Sequence, residues 1–284
     1  MEDDGKDTEG KLALIADEPA DGLRGVAVPA NAAMPTLSPV ARDTLQEQAY
    51  NKLRHALMSG HFIPGQSITL RATAEALGTS PMPVRDALRR LEIEHALVAR
   101  QNRTLGVPEM TYASLTELRE VRMALEGLAA EKAALLITPE EITVVEGHYQ
   151  AMGSAASAGN PAEYMRANWS FHAAIYRASR SQLLVSLIEP TWMRIGPYVR
   201  LMLPDRKSLV DSLGNHLWAL QSLQRRDGAA ARQVIQRDIF ESAEGLASML
   251  KAREEALAAQ ESEDSGPGSR GRLRPGSKQR QGRR

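Results

Sequence analysis

Two groups of residues in this chain carry side chains able to do chemistry. The first is a quartet. Asn168 and His172 are four apart, so on a helix both project from one face. His216 and Asp238 fall on what read as the fifth and sixth helices of a helical region. Two imidazoles with two oxygen ligands suit a divalent transition metal such as Zn, Ni or Mn. Spacing alone does not demand one, because a histidine on a helix is most often a tolerated surface or core residue. The second group is Ser80-Pro81-Met82-Pro83-Val84-Arg85-Asp86-Ala87-Leu88-Arg89-Arg90-Leu91. Val84, Ala87, Leu88 and Leu91 form one apolar helical stripe, while Arg85 and Arg89 share an exposed face. Such a face suits phosphate and base edges, and serves equally as a solvated helix surface.

The elements around the arginines favour a nucleic-acid reading. Ser80 can cap the helix, and Pro81 fits its first turn, where a missing N–H costs nothing. A short apolar segment, Ala72 to Leu77, precedes it across the turn Gly78-Thr79-Ser80. That is the layout of a helix-turn-helix. Upstream, Ala49, Leu53, Ala56 and Leu57 predict a helix ending near Ser59-Gly60, and Ile68 to Leu70 a very short strand. Downstream, Ala96–Ala99 and Leu105–Val107 flank a polar turn and predict a hairpin, a wing whose Arg100 and Arg103 reach towards phosphate or the minor groove.

The elements around the quartet are helical. Six helices are expected, at roughly 112–136, 139–157, 161–179, 181–202, 206–226 and 228–257. Ser114 with Glu117, Thr138 with Glu141 and Asn160 with Glu163 read as caps. Pro190, Pro197 and Pro204 bend or bound the middle helices. The expected class is therefore mainly α: an N-terminal winged helix-turn-helix at 41–110, then an all-α bundle at 111–258. Residues 1–40, rich in Asp, Glu, Gly, Ala and Pro, and the basic tail 259–284 read as disordered. The tail either adds salt-sensitive DNA affinity or is merely solvated.

Composition narrows the chemistry further. With 35 basic and 35 acidic residues the net charge is zero, so nucleic-acid contact must come from local clustering. The absence of Cys excludes disulfides, thiolate metal sites and a Cys nucleophile. No apolar run reaches membrane-span length and the acidic N-terminus does not look like a signal peptide, so a cytoplasmic location with no membrane partner is expected.

In Tyr50-x-x-Leu53-Arg54, Gly60-x-Phe62-x-Pro64-Gly65, Leu77-Gly78-x-Ser80 through Leu91, and Asn102-Arg103, the chain resembles the winged helix of GntR-family transcriptional regulators over residues 45–108. The family often has Arg where Pro81 stands, and Gly where Thr104 follows the wing arginine. The resemblance implies Arg71, Ser80, Arg85 and Arg89 as DNA contacts, with Arg103 in the wing. Glu117-x-Arg119-x-x-Arg122-x-x-Leu125-Glu126-Gly127-x-Ala129-Ala130, Asn168 to His172, Asn215-His216 and Arg226-Asp227-x-x-x-Ala231 resemble the FCD effector domain of the FadR-type subgroup. That family binds a metal with an Asp or Asn and three His, which places it on Asn168, His172, His216 and Asp238. Asp238 stands where the pattern usually has His. A small carboxylate effector is implied, held by the metal and by Arg122, whose alternative is an ion pair with Glu126 four residues on.

The function implied is a homodimeric regulator, most often a repressor, that binds a pseudo-palindromic operator and is released or engaged by an organic acid. The alternatives are the same regulator with a metal-free pocket for an apolar or acyl effector, and, more remotely, a metal-dependent enzyme. No general acid or base beside the quartet stands out for the latter.

Overall fold

The computed structural model describes residues 44–100, 104–202 and 205–264. Helix α1 (Leu45–Met58) starts at Thr44, whose hydroxyl accepts from the Glu47 N–H at 3.2 Å. Helix α2 (Leu70–Leu77) is capped by Thr69 and stops at Gly78, which takes the left-handed φ of 62° that glycine tolerates best. Helix α3 (Pro81–Ile93) follows at once. Its stripe Val84, Ala87, Leu88 and Leu91 is buried, against Tyr50, Leu53 and Leu57 of α1. Three two-residue strands complete the unit: β1 (Ser67–Ile68), β2 (Val98–Ala99) and β3 (Leu105–Gly106), antiparallel in the order β1-β3-β2. Ile68 and Ala99 both stand opposite Leu105, which ties the wing back to the start of the helix-turn-helix.

The bundle comprises α4 (Tyr112–Leu136), α5 (Pro139–Ser157), α6 (Pro161–Ala178), α7 (Gln182–Met202), α8 (Arg206–Asp211), α9 (Leu213–Gln224) and α10 (Gly228–Asp264). Thr138 and Glu141 form the expected capping box, and Asn160 caps α6 through the Glu163 N–H. Three expectations need correction. Helix α4 is capped by Thr111, not Ser114; each hydroxyl accepts the other's backbone N–H, so Ser114 is the third helical residue of a box that starts earlier. The expected helix 206–226 is broken at Ser212, whose hydroxyl donates to the Leu209 carbonyl at 2.9 Å and accepts from Tyr164 at 2.5 Å. The tail expected from 259 begins later, because Ala258 to Asp264 continue α10; Ala, Glu and Gln there are strong helix formers. Residues 1–40, Pro204 and the rest of the tail lie outside the described residues.

Within the bundle α4 lies along α10 and α5 along α6. Helix α7 continues through Pro190 and Pro197 and also touches α1 of the winged helix. The approach is close. A Cβ on Gly196 would stand 2.3 Å from the Leu57 carbonyl oxygen, so only glycine fits there. Arg54 of α1 pairs with Glu189 of α7. The Tyr198 hydroxyl accepts from the Met110 N–H at 2.6 Å and donates to the Pro108 carbonyl, which fixes the connecting segment to the same helix. One helix therefore touches both the winged helix and the core of the bundle.

Candidate nucleic-acid interface and candidate metal centre

Helix α3 sorts its arginines. Arg90 stacks on the Tyr50 ring, 3.6 Å from its centroid, and pairs with Glu47 at 3.2 Å and Glu94 at 3.1 Å. It holds α3 to α1. Arg85 and Arg89 point away from the core, and neither has a carboxylate partner among the described residues. Both line a cleft of about 500 Å³ with Ile68, Leu70, Leu88 and Leu105. Arg71 is exposed at the start of α2. Ser80 takes the N-cap position without making a side-chain capping bond, so its hydroxyl is not committed there. Arg100 differs from expectation: it folds back over Gly106 and faces Glu109 at 3.7 Å, a structural role at the wing base. Arg103 lies outside the described residues.

The quartet converges in the bundle. His172 Nε2 and His216 Nε2 are 3.2 Å apart, and Asn168 Oδ1 is 2.8 Å from the latter. Asp238 Oδ2 is 3.5 Å from His172 Nε2. Asn168, His172 and His216 are buried, and Asp238 nearly so. The outer hydrogen bonds set the tautomers. His216 Nδ1 faces the Ser212 carbonyl at 2.8 Å, an acceptor, so Nδ1 carries the proton and Nε2 is bare. The Tyr176 hydroxyl donates its one proton to Glu126, so His172 Nδ1, 3.1 Å away, donates to the tyrosine oxygen. His172 Nε2 is bare as well.

Two bare imidazole nitrogens, an amide oxygen and a carboxylate oxygen thus face one another out of water. With both imidazoles in these neutral tautomers, the arrangement sets lone pair against lone pair, which a bound cation relieves. Nitrogens bound to one zinc ion at about 2.0–2.1 Å, at tetrahedral or octahedral angles, stand roughly 2.8–3.4 Å apart, and the observed 3.2 Å falls within that range. The donor set fits a divalent metal. Burial is the first cause pushing the His172 pKa well down, with His216 and Arg122 adding to it, so the imidazole stays neutral as a ligand must. Burial raises the Asp238 pKa, against the pull of His216 and Arg122.

Arg122 is also buried. Its Nε and Nη2 engage both Glu126 oxygens, at 2.6 and 3.2 Å, and its guanidinium lies 4.7 Å from the centre of the Trp192 ring. The ion pair with Glu126 is therefore present. Sequence reading missed Tyr176, Ser212 and Trp192 around the quartet. Tyr176 had a signal, being four residues after His172; Ser212 and Trp192 had none, because they act through a carbonyl and through ring packing at 5.3 Å.

The known proteins agree with this architecture. The family described as "Bacterial regulatory proteins, gntR family" matches residues 45–107, and the FCD domain family matches 117–240. The HTH-type transcriptional regulator McbR of Escherichia coli is 28% identical over 204 residues, covering 71% of this chain and 92% of McbR. The HTH-type transcriptional repressor RspR of Escherichia coli is 24% identical over 203 residues, covering 71% and 89%. The solved structure of E. coli McbR/YncC superposes with a TM-score of 0.68 at 26% identity, over 75% of this chain and all of that one. These relatives are regulators of transcription and not enzymes, which removes the metal-dependent enzyme. Among the described residues no helix is long and apolar enough to cross a membrane. The chain belongs to the GntR family of bacterial transcriptional regulators, a DNA-binding winged helix joined to an FCD domain.

Proposed function

We propose that this regulator is a cytoplasmic, homodimeric repressor with a divalent metal on Asn168, His172, His216 and Asp238, whose operator binding responds to a small carboxylate. Residues 41–110 act as the DNA-binding unit and 111–258 as the effector unit. The observation that supports the reading is the convergence of two imidazole nitrogens, an amide oxygen and a carboxylate oxygen just described, a donor set that a divalent cation satisfies. Zn, Ni and Mn all accept such a set. When bound, the metal supplies an open position for one effector oxygen; Arg122, beside the quartet, offers positive charge for the other. Trp192 and Gly196 lie one turn apart on α7, so the helix that floors the site also abuts α1. An effector shifts the protein only by its different affinity for the DNA-competent and incompetent states.

On the DNA side, Arg85 and Arg89 of each protomer read one half-site of a pseudo-palindromic operator, with Arg71, Ser80 and Arg103 on phosphate or groove edges. Support for the dimer comes from α4, where Val121, Leu128 and Leu135 form an exposed apolar row at seven-residue spacing.

The test is a thermal-shift measurement on metal-stripped protein with Zn, Ni or Mn, each with and without sugar acids and di- and tricarboxylates, beside His216→Ala. A ligand that binds only the folded state adds about 2.7 kcal/mol at a hundredfold excess over its Kd. The expected result is a metal-dependent carboxylate shift that the substitution abolishes. A second reading, a metal-free pocket for an apolar or acyl effector, is favoured by one observation: Glu126 already occupies the bidentate seat on Arg122. A response that survives metal removal would select it.

A further inference from the structure

The reading helix carries an apolar side chain on its outward face. Taking 100° per residue, Val84, Ala87, Leu88 and Leu91 cluster on one side of α3, and Met82 and Arg89 lie almost directly opposite. Met82 is 63% exposed; the other exposed apolar side chain on that face, Ile93, is at the far C-terminal end of the helix. It belongs to no core, because the buried stripe of α3 is already complete without it. It sits in the first turn, the part of a recognition helix that reaches base edges. Pro81 beside it brings neither an N–H nor a polar side chain to that turn. The Arg85 Nη1 rests 4.0 Å from the Met82 sulfur, so the thioether and the guanidinium advance side by side. Asp86 and Arg89 complete the row, both exposed. In a major groove the C5-methyl of thymine is the one apolar feature that a base pair presents, and an apolar group beside Arg85 and Arg89 matches it.

We infer that Met82 is a specificity-determining residue that packs on a thymine methyl, so the half-site of this regulator carries a required thymine next to the base pair that Arg85 reads. This rests on α3 being the reading helix. The thioether is flexible and polarisable, so it adapts to the methyl without a fixed rotamer. A polar side chain here would read a hydrogen-bonding edge; methionine reads a methyl group and excludes water from the arginine contact alongside.

The experiment uses the full-length chain and an operator selected by it from a random pool of DNA duplexes. Each thymine of the selected half-site is replaced in turn by deoxyuridine, which deletes the methyl and nothing else. Affinity is read by fluorescence anisotropy for the parent, Met82→Ala and Arg85→Ala. Met82 is exposed, so its truncation leaves the fold intact. One thymine per half-site should show a loss of about fourfold on methyl removal, the worth of one buried methyl group. Met82→Ala should weaken binding to thymine DNA by at least that factor and should no longer distinguish thymine from deoxyuridine there. A selected half-site in which no thymine is sensitive, or a Met82→Ala protein that keeps the full sensitivity, overturns the inference. Failure of the underlying reading looks different: Arg85→Ala would then bind the operator as tightly as the parent.

Discussion

The two functional regions of this chain treat charge in opposite ways. On helix α3, Arg85 and Arg89 are exposed and without carboxylate partners among the described residues, so their donors remain available to an outside partner such as the proposed operator. In the bundle the groups beside the quartet are linked to one another: Arg122 with Glu126, Glu126 with Tyr176, Tyr176 with His172. An exposed arginine costs little to leave unpaired because water solvates it. A buried one must bring its counter-charge into the fold. An outward site can therefore be read from residue types alone, whereas an inward site is defined by its partners. Arg90 marks the boundary, adjacent in sequence to Arg89 yet bound to Tyr50, Glu47 and Glu94.

The sharpest way to break the comparison is to remove a buried partner. Glu126→Gln leaves the Arg122 guanidinium buried without the carboxylate that pairs with it. It should cost about 3–5 kcal/mol, read by urea denaturation. A loss below about 1 kcal/mol would mean that water reaches Arg122 and that the site is not closed. Next comes the seam between the regions. Gly196→Ala drives a methyl into the Leu57 carbonyl, and the overpacking should cost about 1–3 kcal/mol. Parental stability would mean that α1 and α7 separate easily and that the bundle does not hold the winged helix tightly. On the open face, Arg85→Ala should leave the denaturation midpoint unchanged and lower operator affinity by about 1–3 kcal/mol. Arg90→Ala should do the reverse, losing about 1 kcal/mol of stability with operator affinity held near the parent value. If both arginines affected only DNA, the sorting of α3 into reading and packing residues would fail.

The open face was the more legible of the two in the sequence. The stripe Val84, Ala87, Leu88 and Leu91 fixes which way α3 faces, and the solvent side follows. Thr138-Pro139 with Glu141 likewise marked a helix start through local hydrogen bonds. The break at Ser212 left no such mark, since it depends on Tyr164, 48 residues away in sequence. The true cap of α4 was hidden because Thr111 and Ser114 are both good capping residues, and only their reciprocal bonds rank them. At the quartet, sequence and resemblance supplied the four side chains that the fold brings together. They did not supply the tautomers, which depend on Ser212 and Tyr176. Arg100, near the wing by position, turned inward to Glu109 through a contact that no local pattern encodes.

The smallest expected effect concerns pH, and it separates the two regions without a change at either site. His55 lies in the last turn of α1, near the seam. Burial first, then the charges of His61, Arg166 and Arg54, lower its pKa below the ordinary 6.5. The folded protein thus binds this proton less readily than the unfolded chain. The stability that His55 contributes is fully present above pH 6.5 and is lost as pH falls below it towards the depressed folded value. His148 is lowered in the same sense by burial and by Arg166 and Arg177, so the two slopes add. With divalent metal held at a constant excess throughout, denaturation midpoints should fall between about pH 7 and pH 5, and His55→Gln should flatten that fall without removing it. Arginine as a residue type is not a pH switch, so the direct contribution of Arg85 and Arg89 to operator affinity should not follow the same curve. An equal slope in parent and variant would show that His55 is as well hydrated in the folded chain as in the unfolded one, and the seam would then be more open than its close helix contact implies.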